Sequence, residues 1–402
     1  MTDIAYLITL AFAVFLAVDP FVWRLERIAL TKHLPFLLAL PFVFLTMVGA
    51  RTPKQAATLP GVLPCFRPLL ILALFIVAGS LIARFQFSIP NTFLFSGLYM
   101  LAAPMTAYML TRSSDPVRML RAYLGLLLVF GFVVFAGLVV NYGAKQVYHE
   151  LEYLVPPIAV YFVFSSGQRW IRWAGISFFL ASAILFNKNT GYLTLVLIYL
   201  YLMFFVVWPA WKREDTLRTI TKTYTLLLGM FAVAALAAYL LQLLESFLPS
   251  GNPEFRMLTY QRAWERFLDS PLWGTGFTAA SSEKFTGFDT GVANNVLPTH
   301  SDILDVLANG GLLGIMLWLW ALVRVGKLAY SSILKPNNRR HPFAAYAHML
   351  ACMSLAAIVT YVFNPIFSQP AKSMVLWANL GFLAGISLLV RLENANATKE
   401  QS

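Results

Sequence analysis

Apolar runs of fourteen to twenty-five residues, separated by short polar breaks, fill most of the chain. About 20 apolar residues cross the hydrocarbon core as a helix, and on that measure the pattern predicts about twelve spans. They fall near 4–19, 35–49, 68–83, 91–111, 120–141, 154–167, 172–187, 190–208, 223–247, 303–325, 343–363 and 373–391. The runs near 35, 154 and 172 are short, and 172–208 reads either as two helices or as one long broken helix. The expected fold is all-α and polytopic. Residues 1–248 form spans one to nine, 249–302 one large loop, 303–391 spans ten to twelve, and 392–402 a polar, disordered tail.

The first run, from Ile4 to Ala17, resembles the apolar part of a signal peptide. It has no basic leader and ends at Val18-Asp19-Pro20, so it is expected to stay as an uncleaved first span.

Composition agrees with the pattern. The 402 residues are 59% hydrophobic and 12% charged, with 33 phenylalanines, whereas soluble domains carry about 25% charged residues. The net charge of +12 does not imply nucleic acid here. Lys and Arg gather in cytoplasmic loops of membrane proteins and orient them. Placing both termini inside puts most of the 30 basic residues in cytoplasmic loops. Arg24, Arg27 and Lys32 break that rule in the first loop, where a short interfacial helix would accommodate them. Cys65 and Cys352 lie far apart and are expected as unpaired thiols.

The other outside cations are more informative. Arg84, Lys188 and Lys372 each sit alone at the outer end of a span. Snorkelling to headgroups accounts for such residues, and so does a basic rim for a lipid-linked phosphate. Lys188 stands in Phe186-Asn-Lys-Asn-Thr-Gly191, a polar break between apolar runs. Such a break is tolerated at membrane depth only against protein or a cavity.

The long loop holds most of the remaining chemistry. Residues 255–268 place Met257, Tyr260, Trp264, Phe267 and Leu268 on one helical face, with Arg262, Glu265 and Arg266 opposite and Arg256 at the boundary. That is an amphipathic helix at the membrane surface. Pro271-Leu-Trp-Gly-Thr-Gly276 ends it, with glycines Gly274 and Gly276 free to take positive φ. His300 stands at the start of the next span, where its imidazole can take up a proton near neutral pH or cap the helix. Ser301, Asp302 and Asp305 are placed to orient it. As a metal set, His300, Asp302, Asp289 and Glu283 lack the usual ligand spacing, so no metal is expected. No P-loop, dinucleotide fingerprint or serine nucleophile elbow occurs.

Arg256-x3-Tyr260, Pro271-x2-Gly274-x-Gly276, His300-Ser301-x2-Leu304 and Gly310-Gly311-x2-Gly314 together resemble the signature region of the O-antigen ligase and O-antigen polymerase superfamily. In that superfamily Trp usually stands where Tyr260 does and Asn where Ser301 does. An arginine at the outer start of an earlier span corresponds to Lys188, followed by Asn189; lysine lacks arginine's bidentate fork.

The resemblance implies a GT-C-like, inverting, metal-independent glycosyltransferase of the bacterial inner membrane, with no cofactor and a periplasmic site. Its partners are an undecaprenyl diphosphate-linked glycan donor, a lipid A–core acceptor and the lipid bilayer, with no nucleic acid. It implies His300 as base and Arg256, Lys188, Arg84 and Lys372 as cations on the donor diphosphate. Tyr260, Gly274, Gly276, Asn189 and Ser301 support them. Rival expectations are an O-antigen polymerase or a protein O-oligosaccharyltransferase of the same superfamily, and, in another class, a lipid-linked glycan transporter. The single large loop favours the ligase, and the lack of charge near mid-span disfavours transport.

Overall fold

The computed structural model describes residues 2–18, 31–49, 59–87, 93–140, 151–186, 189–211, 229, 236, 252–278, 282–284, 296–299, 301–363, 366–367 and 369–401. Its helices in chain order are α1 (Thr2–Val18), α2 (Leu34–Gly49), α3 (Leu59–Cys65), α4 (Arg67–Phe87), α5 (Phe93–Tyr99), α6 (Ala102–Arg112), α7 (Pro116–Val140), α8 (Ile158–Phe164), α9 (Arg169–Leu185), α10 (Asn189–Leu202), α11 (Asn252–Asp269), α12 (Asp302–Ser332), α13 (Ala344–Phe363) and α14 (Pro370–Gln401). Among the described residues, one small sheet pairs β1 (Ser282–Lys284) antiparallel with β2 (Val296–Pro298), Glu283 opposite Leu297. The protein is an all-α polytopic membrane protein. Among the described residues, seven helical segments are long and apolar enough to cross a membrane, and two shorter apolar ones are Thr2–Ala17 and Thr31–Met47. The run expected at 223–247 lies outside the described residues.

Local sequence explains the differences from the apolar pattern. The run at 91–111 is two helices, α5 and α6, joined by a turn at Met100–Leu101. Pro104, in the first turn of α6, has no N–H to donate and its ring collides with the carbonyl four residues back, so an unbroken helix stops there. The stretch 172–208 is two helices, α9 and α10, packed against one another. α10 then runs through a π turn, Met203–Val207, to Trp211. The residues from Leu392 onward, expected as a disordered tail, are helical to Gln401. Leu392-Glu-Asn-Ala-Asn-Ala extends an already nucleated helix, and extension costs far less than nucleation.

α14 is the central post, packed against α1, α3, α5, α6, α12 and α13. It meets α6 at backbone distance. A Cβ on Gly381 would stand 2.3 Å from the carbonyl oxygen of Ala103, and one on Gly385 3.3 Å from that of Ala107. Without water to drive helices together, small residues four apart allow this approach and the van der Waals contact it brings. Tyr123 Oη donates to Asn379 Oδ1 across 2.6 Å, tying α7 to the same post. α8, α9, α10 and α13 form a neighbouring group. α12 lies against α4, α11, α13 and α14 and thereby carries the polar loop to the bundle. No disulfide joins Cys65 and Cys352.

Candidate functional site

Helix α12 is bent at Gly311, where φ is 59° and ψ −160°. An unbroken helix would bond the N–H groups of Leu312 and Leu313 to the carbonyls of Ala308 and Asn309. At the bend all four groups bond to the segment after α11 instead. Thr275 and Phe277 donate to Ala308 and Asn309 across 3.1 and 2.9 Å, while Leu312 and Leu313 donate to Pro271 and Leu272 across 2.9 and 3.1 Å. Irregular backbone in a span is tolerated when protein satisfies it. The Thr275 hydroxyl adds a bond to Asn309 Oδ1 (2.9 Å), and Asn309 Nδ2 donates to the Asp305 carbonyl (2.8 Å).

The glycines of this joint are there for space and for φ. Gly274 has φ +60°, and a Cβ there would lie 2.5 Å from the Ala308 oxygen. A Cβ on Gly311 would lie 2.5 Å from the Leu272 carbonyl carbon, and one on Gly79 of α4 only 1.8 Å from the Gly276 oxygen. Gly276 needs its positive φ alone, since nothing lies within 4 Å of its Cβ direction. Phe277 takes φ 60° as well, the one positive-φ non-glycine among the described residues. Its ring is fully buried, edge-on to Phe75 at 5.4 Å and Phe93 at 5.5 Å. Left-handed backbone costs about 1–2 kcal/mol, which burial of a phenyl at about 1.5–3 kcal/mol offsets.

The joint sets the direction of the first turns of α12. Ser301 is the N-cap, its hydroxyl accepting from the Leu304 N–H at 3.4 Å. Asp302 is fully buried, and its Oδ2 accepts from the N–H groups of Ile366 (2.7 Å) and Phe367 (2.9 Å), just before α14. These two residues therefore serve the start of α12 and the chain before α14. Asp305, also buried, accepts a hydrogen bond from the side chain of Thr299, the residue before His300. The charge of Arg266 also reaches Asp305.

α11 faces this end of α12. Arg256 and Tyr260 are half-buried, and Thr259 and Ala263 are buried beside them. Met257 (72% exposed), Trp264 (48%) and Leu268 (57%) point away from the protein. Three residues of the apolar face expected at the membrane surface are thus left uncovered by protein, and a narrow stripe through Arg256 and Tyr260, at the edge of that face, packs inward. The reason is steric: small Ala263 and Thr259 let the helix approach, which Trp264 would prevent. Burial raises the Tyr260 phenol above its usual pKa of 10.0, with Arg256 pulling it down and Asp305 pushing it up. Tyr260 therefore carries an intact O–H between the Arg256 guanidinium and the buried Asp305 side chain. Arg262 pairs with Glu265 at 3.4 Å on the exposed side.

The other expected site residues are spread over three elements. Lys372, read as a rim cation, is only 3% exposed in the first turn of α14. Arg84 is exposed in the last turn of α4, five residues beyond the Gly79 contact. Asn189 begins α10. Lys188 and His300 lie outside the described residues, as do Asp289, Arg24 and Arg27. Glu283 is in β1, and Lys32 is in the short 3-10 turn before α2. No group of three His, Cys, Asp or Glu side chains clusters among the described residues. The structure brings together Arg256, Tyr260, Ser301 and the glycine motifs.

Sequence reading passed over Asn309 and Glu152. Glu152 is fully buried, with Oε1 accepting from Thr190 Oγ1 at 3.3 Å. For Asn309 the available signal was a polar residue inside an apolar run, Ala308-Asn309-Gly310; Glu152 stands with His149 and Glu150 in the short polar stretch before the run at 154–167 and carries no such signal.

Residues 174–319 match the family model described as O-antigen ligase. That segment runs from α9 to the middle of α12 and contains both glycine motifs of the joint, though not Gly79 of α4. No curated protein matches the chain.

Proposed function

We propose, from the membership of the O-antigen ligase family that the match over residues 174–319 supports, that the protein transfers an O-antigen glycan from undecaprenyl diphosphate to a sugar hydroxyl of lipid A–core. The reaction runs on the periplasmic face of the bacterial inner membrane, with both termini cytoplasmic. The observation that carries this reading is the proximity of Arg256 and Tyr260 on α11 to Asp305 on α12, one turn past Ser301. It supports an arginine and the His300 segment working on one substrate.

The acceptor hydroxyl attacks the anomeric carbon, the bond to the diphosphate breaks, and configuration inverts. The acceptor's proton passes to the imidazole of His300. The electron pair of the broken bond leaves with the diphosphate, where negative charge grows. Arg256 meets that charge, with Lys188, Lys372 and Arg84 as further cations. Removing one such fixed charge costs about 10²–10³ in rate in comparable sites. The half-buried seat of Arg256 supports this role, because a guanidinium partly shielded from water acts more strongly on a phosphate than an exposed one. Tyr260 supplies an O–H donor alongside. Neither a nucleotide nor a metal is used.

Purified protein in lipid nanodiscs, given the diphospholipid donor with or without rough lipopolysaccharide, tests this. Glycan appearing on lipopolysaccharide only when it is present supports the ligase. Elongation of the donor alone would make the protein a polymerase.

A further inference from the structure

Glu152 lies within Leu151–Pro157, a segment whose every residue is buried, and its own exposure is 0%. Withdrawing a carboxylate from water is costly unless partners compensate, and ionisable groups inside membrane proteins mark function more often than packing. Its Oε1 accepts from Thr190 Oγ1 in the first turn of α10 at 3.3 Å. Thr190 is itself buried, and its carbonyl accepts from Thr194 Oγ1 at 2.8 Å.

No slack remains around this turn. A Cβ on Gly191 would stand 2.8 Å from the Ala183 carbonyl oxygen of α9 and 3.6 Å from Glu152 Cγ. The next residue, Tyr153, turns the other way, and its hydroxyl donates to the Lys372 carbonyl in the first turn of α14 at 3.1 Å. From its other side, the chain just before α14 is held by the Asp302 carboxylate. Two adjacent residues therefore bridge the starts of two helices that lie far apart in sequence. One of those starts carries the buried Lys372.

We infer that Glu152 is a positioning residue of the donor site. Its carboxylate anchors the first turn of α10 through Thr190, and through Tyr153 the same segment fixes the first turn of α14, so that Lys372 is held in one place against the donor phosphates. Glu152 touches no reacting atom. This inference rests on the reading of the protein as a transferase that uses Lys372.

Two measurements on the full-length protein in nanodiscs test it, with Glu152→Gln, Glu152→Ala and Thr190→Val. Glutamine keeps an acceptor for Thr190 while replacing the carboxyl group, alanine removes both, and valine removes the donor. The first measurement is amide hydrogen exchange, which needs no substrate. Exchange should quicken in the first turns of both α10 and α14 in Glu152→Ala, and at α10 in Thr190→Val. Unchanged exchange at α14 overturns the bridge, whatever the protein transfers. The second is the dependence of glycan transfer on donor concentration. The half-saturating donor concentration should rise about tenfold or more in Glu152→Ala and less in Glu152→Gln, with the turnover number changing less. A lower unfolding temperature with wild-type donor dependence would make Glu152 a packing residue only. If exchange responds but the wild type transfers no glycan, the bridge stands and the functional reading fails.

Discussion

The main-chain N–H of Phe277 donates to the carbonyl of Asn309 across 2.9 Å. This bond closes the joint between the loop after α11 and the bend in α12. The two glycine motifs, Pro271-x2-Gly274-x-Gly276 and Gly310-Gly311-x2-Gly314, are thus the two halves of one backbone contact. They place α11, with Arg256 and Tyr260, beside the start of α12.

Substitution at the joint should separate clash from conformational cost. Gly274→Ala and Gly311→Ala combine positive φ with a 2.5 Å backbone collision and fall in the exceptional class of about 4 kcal/mol or more. Gly276→Ala meets nothing within 4 Å and should cost only the left-handed strain, about 1–2 kcal/mol. Thermal unfolding in detergent checks the order. Equal losses at Gly274 and Gly276 would contradict the joint.

Asp302→Ala removes the acceptor of two buried N–H groups before α14. A buried N–H left without its acceptor costs about 1–3 kcal/mol, so the unfolding temperature should drop clearly. Asp302→Asn keeps an acceptor oxygen and should lose roughly half as much. A null effect of Asp302→Ala would show that the segment before α14 is held by other means.

Tyr260 gives a pH dependence with a definite sign. Burial raises the phenol pKa above its unfolded value of 10.0, so the neutral form is the folded form. The stability difference between wild type and Tyr260→Phe should be flat below about pH 10 and should shift against wild type as pH rises through that value. A difference that already varies between pH 6 and 8 would refute the assignment to Tyr260.

Arg256→Ala should lower transfer by about 10²-fold or more. Arg256→Lys should recover only part, since an ammonium cannot make the bidentate fork. The initial rate at several donor concentrations reads this directly. Full activity in Arg256→Ala would remove the arginine from the diphosphate site.

The sequence showed the helical regions well, because apolar runs of membrane length report burial in lipid regardless of tertiary contacts. It missed the Pro104 break and the helical residues after Leu392, where local backbone chemistry overrides the apolar count. It showed the amphipathic character of α11 but not which of its residues touch the protein. Hydrophobicity alone cannot tell packing from lipid exposure, and here Ala263 and Thr259 approach the protein while Met257, Trp264 and Leu268 stay outside. The motif residues were visible, but their function as a backbone joint was not. The bonds from Thr275 and Phe277 to α12 depend on main-chain geometry that no side-chain pattern encodes. Glu152 escaped because it stands beside His149 and Glu150 in a short polar stretch, where a carboxylate reads as a solvated loop residue.

The most direct measurement of the central claim is the rate of glycan transfer to rough lipopolysaccharide by His300→Ala in nanodiscs, beside the wild type at the same unfolding temperature. Transfer by the wild type is expected, with a loss of about 10²-fold or more in the variant, the range of general base catalysis. Wild-type transfer by His300→Ala would contradict it.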